Sequence, residues 1–158
     1  LTAGAHMTNN DILRRLRYAF DFGDNKMIQL FAQGGLETNR AELSDWLKKA
    51  GDPAHVSCND MVVATFLNGL IIERRGRREG PLPEPESRLN NNAVLTKLKI
   101  ALSLRSEDLA EIMELAEYRV SPHELSSFFR KPSHAKYRQC KDQMLRNFLR
   151  GLQIKLRE

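Results

Sequence analysis

The chain has 158 residues, 41% hydrophobic and 28% charged, with a formal net charge of +5. This composition is that of a soluble globular protein, and only two cysteines are present, which excludes a disulfide scaffold and points to a reducing, cytoplasmic setting. The longest apolar run, Met61 to Ile72, is interrupted by Asn68 and Gly69 and falls short of the roughly 20 residues that span a bilayer, so no membrane association is expected.

Residues 9–75 align with residues 91–157 at a constant offset of 82 without a gap. Identities run from Asn9/Asn91, Asn10/Asn92 and Leu13/Leu95 through Glu42/Glu124, Cys58/Cys140 and Asp60/Asp142 to Gly69/Gly151, Leu70/Leu152 and Arg75/Arg157. A unit of this length is a small domain rather than a solenoid repeat. The expected organisation is a cloning remnant at residues 1–6, a first helical repeat at 7–75, a linker at 76–89 and a second repeat at 90–158. The fold class is all-α, with two tandem four-helix repeats related by a pseudo-twofold axis.

In chain order, the first helix of each repeat follows Asn9-Asn10 or Asn91-Asn92, with asparagine as the capping acceptor. It carries Ile12, Leu13, Leu16 and Ala19, answered by Val94, Leu95, Leu98 and Ala101, at amphipathic spacing. The second starts after Asp24 or Ser106. The third begins at the capping boxes Asn39-x-x-Glu42 and Ser121-Pro122-x-Glu124 and ends near Lys49 or Lys131. The fourth, beginning near Asp60 or Asp142, is the most apolar. Between the copies, Gly76, Gly80, Pro81, Pro83 and Pro85 among charges give the composition of a linker.

The fourth helices differ in a way that bears on function. Arg146, Arg150, Gln153 and Arg157 form one polar stripe in the second copy, whereas the first copy has Ala64, Asn68, Ile71 and Arg75 there. A helix apolar nearly all round must be covered on most sides, so the first-copy helix is expected at the centre, against its twin or another chain. Gly69 and Gly151 cost roughly 1 kcal/mol each relative to alanine in a helix interior, a cost offset either by close helix approach or by avoiding a bulky core neighbour within the same unit. Ala64, Ile71 and Trp46 mark the surface on which a homodimer or another protein partner would sit.

The segment from Arg130 to Arg157 is strongly basic, with Asp142 its one acid. Arg130, Lys131, Lys136, Arg138, Arg146 and Arg150 are suited to neutralise phosphates of DNA or RNA, and Tyr137 to stack on a base. The competing reading pairs these cations with the acidic second helix of the same repeat, Glu107, Asp108, Glu111, Glu114 and Glu117. The second and third helices also suggest a helix-turn-helix in which His123, Ser126, Ser127 and Arg130 would face a groove. Cys58 and Cys140 sit near helix N-termini, where a thiol pKa can fall, but no CxxC pair or regular histidine spacing accompanies them, so they read as small core residues. No phosphate loop, nucleophile elbow or carboxylate pair is present; a non-enzymatic protein without cofactor or metal is expected.

The stretches Asn9-Asn10-Asp11-Ile12-Leu13-Arg14, Gly69-Leu70-Ile71-Ile72-Glu73-Arg74-Arg75-Gly76, Phe129-Arg130-Lys131 and residues 140–152 together resemble the YehS family of uncharacterised bacterial proteins. That resemblance covers nearly everything after Met7 and implies a duplicated domain in a bacterial cytoplasmic protein. The family has no assigned biochemistry, so it supplies no catalytic residue. Glycine is common in it where this chain has Lys141.

Overall fold

A computed structural model describes residues 6–158, leaving most of the expected remnant outside it. The first repeat consists of α1 (Asn9–Phe20), α2 (Asp24–Gly34), α3 (Arg40–Leu47) and α4 (Asp60–Arg75). The second repeats the order with α5 (Asn91–Ala101), α6 (Ser106–Leu115), α7 (Pro122–Ser126) and α8 (Asp142–Arg157). A short 3-10 turn, Ser127–Phe129, extends α7. No strand occurs among the described residues, and the all-α duplicated architecture is as expected.

The helix starts are shifted from the sequence expectation, and the shift is informative. Thr8 caps α1, its side chain accepting from the Asp11 N–H, and Asn90 caps α5 by accepting from Ala93. Gly23 and Arg105, not Asp24 and Ser106, are the N-caps of α2 and α6. The repeated asparagines therefore lie inside the helices. Asn10 Nδ2 donates to the carbonyls of Trp46 (2.8 Å) and Val56 (2.9 Å), and its Oδ1 accepts the Cys58 N–H at 3.2 Å. Asn92 makes the same three bonds, to Phe128 (3.0 Å), Arg138 (2.8 Å) and Cys140 (2.8 Å). Each asparagine ties the first helix to both ends of the long connection between the third and fourth, satisfying backbone groups that burial would otherwise leave without water.

The two repeats do not sit side by side as closed bundles. Within each, the fourth helix packs on the second; across the molecule, α1 packs on α8 and α5 on α4. The first helix of each repeat thus completes the other. This corrects the expectation that α4 lies against its twin: its neighbours are α2 and α5. A pair of carboxylates marks the exchange. Asp60 Oδ1 accepts from Asn9 of its own repeat (2.8 Å) while its Oδ2 accepts the Leu89 N–H (2.7 Å); Asp142 Oδ1 accepts from Asn91 (2.7 Å) and its Oδ2 takes the Met7 N–H (2.9 Å). Although desolvation works against it, the Asn91 and Met7 hydrogen bonds hold the Asp142 carboxyl below its ordinary pKa.

One apolar cluster runs through both repeats, with Phe66/Phe148, Leu67/Leu149 and Leu70/Leu152 buried at matched positions. In the first repeat, Phe31 lies 5.5 Å from Trp46 and 5.2 Å from Phe66, ring centre to ring centre, forming an aromatic centre. Gly69 and Gly151 bring the fourth helix onto the backbone of the second in its own repeat. A Cβ at Gly69 would stand 1.8 Å from the Leu30 carbonyl oxygen, and one at Gly151 would stand 1.9 Å from that of Ile112. The close approach is real, and it is internal to each unit.

Candidate functional site

The basic segment of the second repeat is built in two parts. Residues 130–141 form a loop between the 3-10 turn and α8, held by local bonds from the His134 N–H to the Lys131 carbonyl (2.8 Å) and from the Tyr137 N–H to the His134 carbonyl (3.0 Å). The loop is anchored where Arg138 donates its N–H to Ser127 (3.2 Å) and its carbonyl accepts from Asn92. Between those anchors Arg130, Lys131 and Lys136 are exposed, as is Arg138, whose guanidinium lies 3.6 Å from Glu124. Tyr137 is half-buried, leaving part of its ring accessible.

The second part is one side of α8. Arg146 is half-buried and donates to Gln143 Oε1 at 3.2 Å; Arg150, one turn on, is exposed. Arg157 at the end of the same stripe is 3.1 Å from Asp21 and 4.4 Å above the Tyr18 ring. Since Tyr18 belongs to α1 and Asp21 follows it, the stripe lies along the α1/α8 seam. Here the structure adds a residue that sequence reasoning missed. Arg15 of α1 is exposed and corresponds to Lys97 of α5, whose ammonium touches Asn68, the counterpart of Arg150, at 2.7 Å. By the same exchange, Arg15 lies exposed on the helix that packs against α8, at the position equivalent to Lys97. Only the exchanged packing assigns α1 to that seam.

Of the α6 acids, Asp108 pairs with Arg105 (3.6 Å) and also meets the charge of Lys155 on α8, whereas the loop cation Arg138 has Glu124 of α7 as its partner. The Arg105 N–H and guanidinium hold the half-buried Asp108 carboxyl below its usual pKa. The helix-turn-helix reading is corrected. Helix α7 has five residues, too few to present a recognition face along a groove; Ser127 is buried and donates to the Glu124 carbonyl (2.5 Å), and Ser126 donates to the His123 carbonyl (2.7 Å). Of the residues expected to mark an assembly surface, Trp46 and Ala64 are buried in the chain's own core and Ile71 is half-buried.

An open depression of about 620 Å3 beside the end of α1 is lined by Arg14, Arg17, Tyr18 and Leu47. Its arginines are already engaged, Arg14 with Asp11 and the Lys48 carbonyl and Arg17 with Asp24 at 2.8 Å. Among the described residues no group of three His, Cys, Asp or Glu side chains is placed to hold a metal ion, and no helix is long and apolar enough to cross a membrane.

Both cysteines are unpaired and buried. Burial pushes the Cys58 thiol up to about 11 and the Cys140 thiol up to about 12, outweighing any benefit from the nearby helix starts. Both thiols are expected to resist a disulfide reagent at pH 8 in the native protein and to react fully once it is unfolded in guanidinium. Fast reaction of either in the native state would show that the thiolate is accessible.

Comparison with known proteins follows the same duplication. A family model described as "Protein of unknown function (DUF1456)" matches twice, over residues 9–76 and 91–158. The chain is 44% identical over 147 residues to the "Uncharacterized protein YehS" of Escherichia coli (strain K12), covering 92% of this chain and 94% of that relative. No solved structure shows a significant match. With both repeats matched and the relative covered nearly end to end, the chain belongs to the DUF1456 family and carries its domain twice.

Proposed function

We propose that the chain is a cytoplasmic, non-enzymatic binding protein that contacts the phosphates of DNA or RNA through the basic surface of its second repeat. The observation that carries this reading is the α1/α8 seam. Helix α8 carries the exposed Arg150 one turn beyond Arg146, α1 with its exposed Arg15 packs on that helix, and Arg130, Lys131, Lys136 and Arg138 are exposed in the loop leading into it. Like charges brought together at a surface repel one another and are relieved by a polyanion, which releases its own counterions on binding. Tyr137 offers a partly exposed ring for stacking on a base.

Binding of mixed-sequence duplex DNA and of single-stranded RNA, measured by fluorescence anisotropy across a salt series, tests the proposal. For about four phosphate contacts, affinity for duplex DNA is expected to fall about 100-fold between 50 and 200 mM salt. The double variant Arg146→Glu, Arg150→Glu should lose most binding and flatten the salt dependence. Arg15→Glu should weaken binding in the same sense, although it lies in the first repeat, because its helix packs on α8. Absence of salt-sensitive binding to either nucleic acid, or charge-reversed variants that bind like the original, would defeat the reading and favour a protein-interaction module instead.

A further inference from the structure

The two seams between repeats are built from corresponding helices but enclose different things. At the α4/α5 seam the irregular segment 76–89, with Leu82 half-buried, borders a half-open cavity of about 560 Å3. Its apolar lining comes from Ile71, Ile100 and Leu82, with Pro81 and Pro83 in the overlying segment; Arg75, Arg77, Arg78 and Lys97 supply cations against the single lining acid Glu79. The volume is of the size that takes a small organic ligand.

One wall residue carries an unmet need. Lys97 Nζ donates to Asn68 Oδ1 at 2.7 Å and lies 3.1 Å from Glu86. An ammonium can only donate, so it fixes the amide with its oxygen toward the lysine. The Asn68 Nδ2 is then left without an acceptor in a side chain only 4% exposed, a donor that burial makes costly to leave unpaired. At the α1/α8 seam the counterparts of Asn68, Ile71, Lys97 and Ile100 are Arg150, Gln153, Arg15 and Tyr18, so the apolar wall is missing there. The two copies diverge at the residues that make one seam a cavity and the other a charged face.

We propose that the α4/α5 cavity is a binding site for a small aliphatic anion. A carboxylate or phosphate head would sit among Lys97, Arg75, Arg77 and Arg78, and the hydrocarbon body would lie against Ile71, Ile100 and Leu82. The absence of any aromatic residue from this lining removes the usual platform for a nucleobase and favours an aliphatic body. This site is separate from the basic surface of the second repeat, and its test is independent of nucleic-acid binding.

The full chain, labelled with 15N, is titrated with octanoate and with octyl phosphate, using n-octanol and inorganic phosphate as controls that carry only the body or only the head. Saturable amide shifts confined to residues 68–84 and 97–100 are expected with one or both of the amphiphilic anions, the stronger identifying the head group. Octanol and inorganic phosphate should bind at least about tenfold more weakly, since each forgoes one class of contact. Lys97→Met removes the charge while keeping the stem, and Ile100→Glu places an acid at an already exposed position of the rim; each should weaken anion binding at least about tenfold. Lack of saturable shifts in these segments, equal binding of octanol and octanoate, or unchanged binding by both folded variants would overturn the proposal.

Discussion

Gly69→Ala and Gly151→Ala are each expected to destabilise the protein by about 2 kcal/mol or more, the cost of forcing atoms into a packed interior. The direction is the diagnostic part. Judged by helix propensity alone, alanine in a helix interior should stabilise by roughly 1 kcal/mol, so a loss must come from the contact. The added methyl would stand 1.8 Å from the Leu30 carbonyl oxygen in one repeat and 1.9 Å from that of Ile112 in the other. Backbone cannot rotate away as a side chain can, so the fourth helix must move off the second. That movement would separate Phe66 from Phe31 in the first repeat and open the packing of α8 on α6 in the second. Urea denaturation followed by circular dichroism measures the change; a neutral or stabilising result in both variants would mean that the helix pair yields without loss.

Removal of the asparagine clamps is expected to cost about as much. Asn10→Ala leaves the Trp46 and Val56 carbonyls and the Cys58 N–H without their partner, and each buried orphan costs about 1–3 kcal/mol. Some of that cost is relieved where the Val56 carbonyl can reach water, so a total near 3 kcal/mol is expected by the same reckoning. Asn10→Asp sharpens the test. It keeps the shape and the acceptor for Cys58 but replaces a donor to two carbonyl oxygens with a second negative oxygen, so it should be at least as damaging as alanine at neutral pH. Asn92→Ala adds a local effect, because it frees the Arg138 carbonyl and with it one anchor of the basic loop. Denaturation midpoints give the first result and hydrogen exchange across residues 130–141 the second. An Asn10→Asp protein as stable as the original would show that the clamp is dispensable.

The same asparagines show where sequence reasoning stops. The gapless repeat and its apolar spacing made the helices, the matched core and the close approach at Gly69 and Gly151 readable, since each depends on local periodicity or on a cost visible at one position. Asn9-Asn10 read as a cap because an amide at the head of an amphipathic segment has the right chemistry for one. Its real partners lie 36 to 51 residues away and are invisible to local grammar. The short α7 was obscured for a related reason: Leu125, Phe128 and Phe129 keep helical spacing, but the chain turns out of the helix to deliver Arg138 to Asn92. For the candidate surface, the charge of the second repeat was legible and the loop cations are exposed. Arg15 was not, because nothing in its neighbourhood says which helix it will meet.

The exchange of first helices also has a consequence in time. Helix α1 ends at Phe20 and the helix that covers it starts at Asp142, so during synthesis at about 5–20 residues per second its apolar face waits on the order of ten seconds for its cover to be made. Helix α5, by contrast, meets an α4 that has already emerged. The two halves of a nearly symmetric molecule are therefore assembled by unlike histories, one seam closing as a short loop and the other by joining the ends of the chain. Long-range closure of that second kind slows folding, and the α1/α8 seam is the step at which the nascent protein is most exposed to wrong partners.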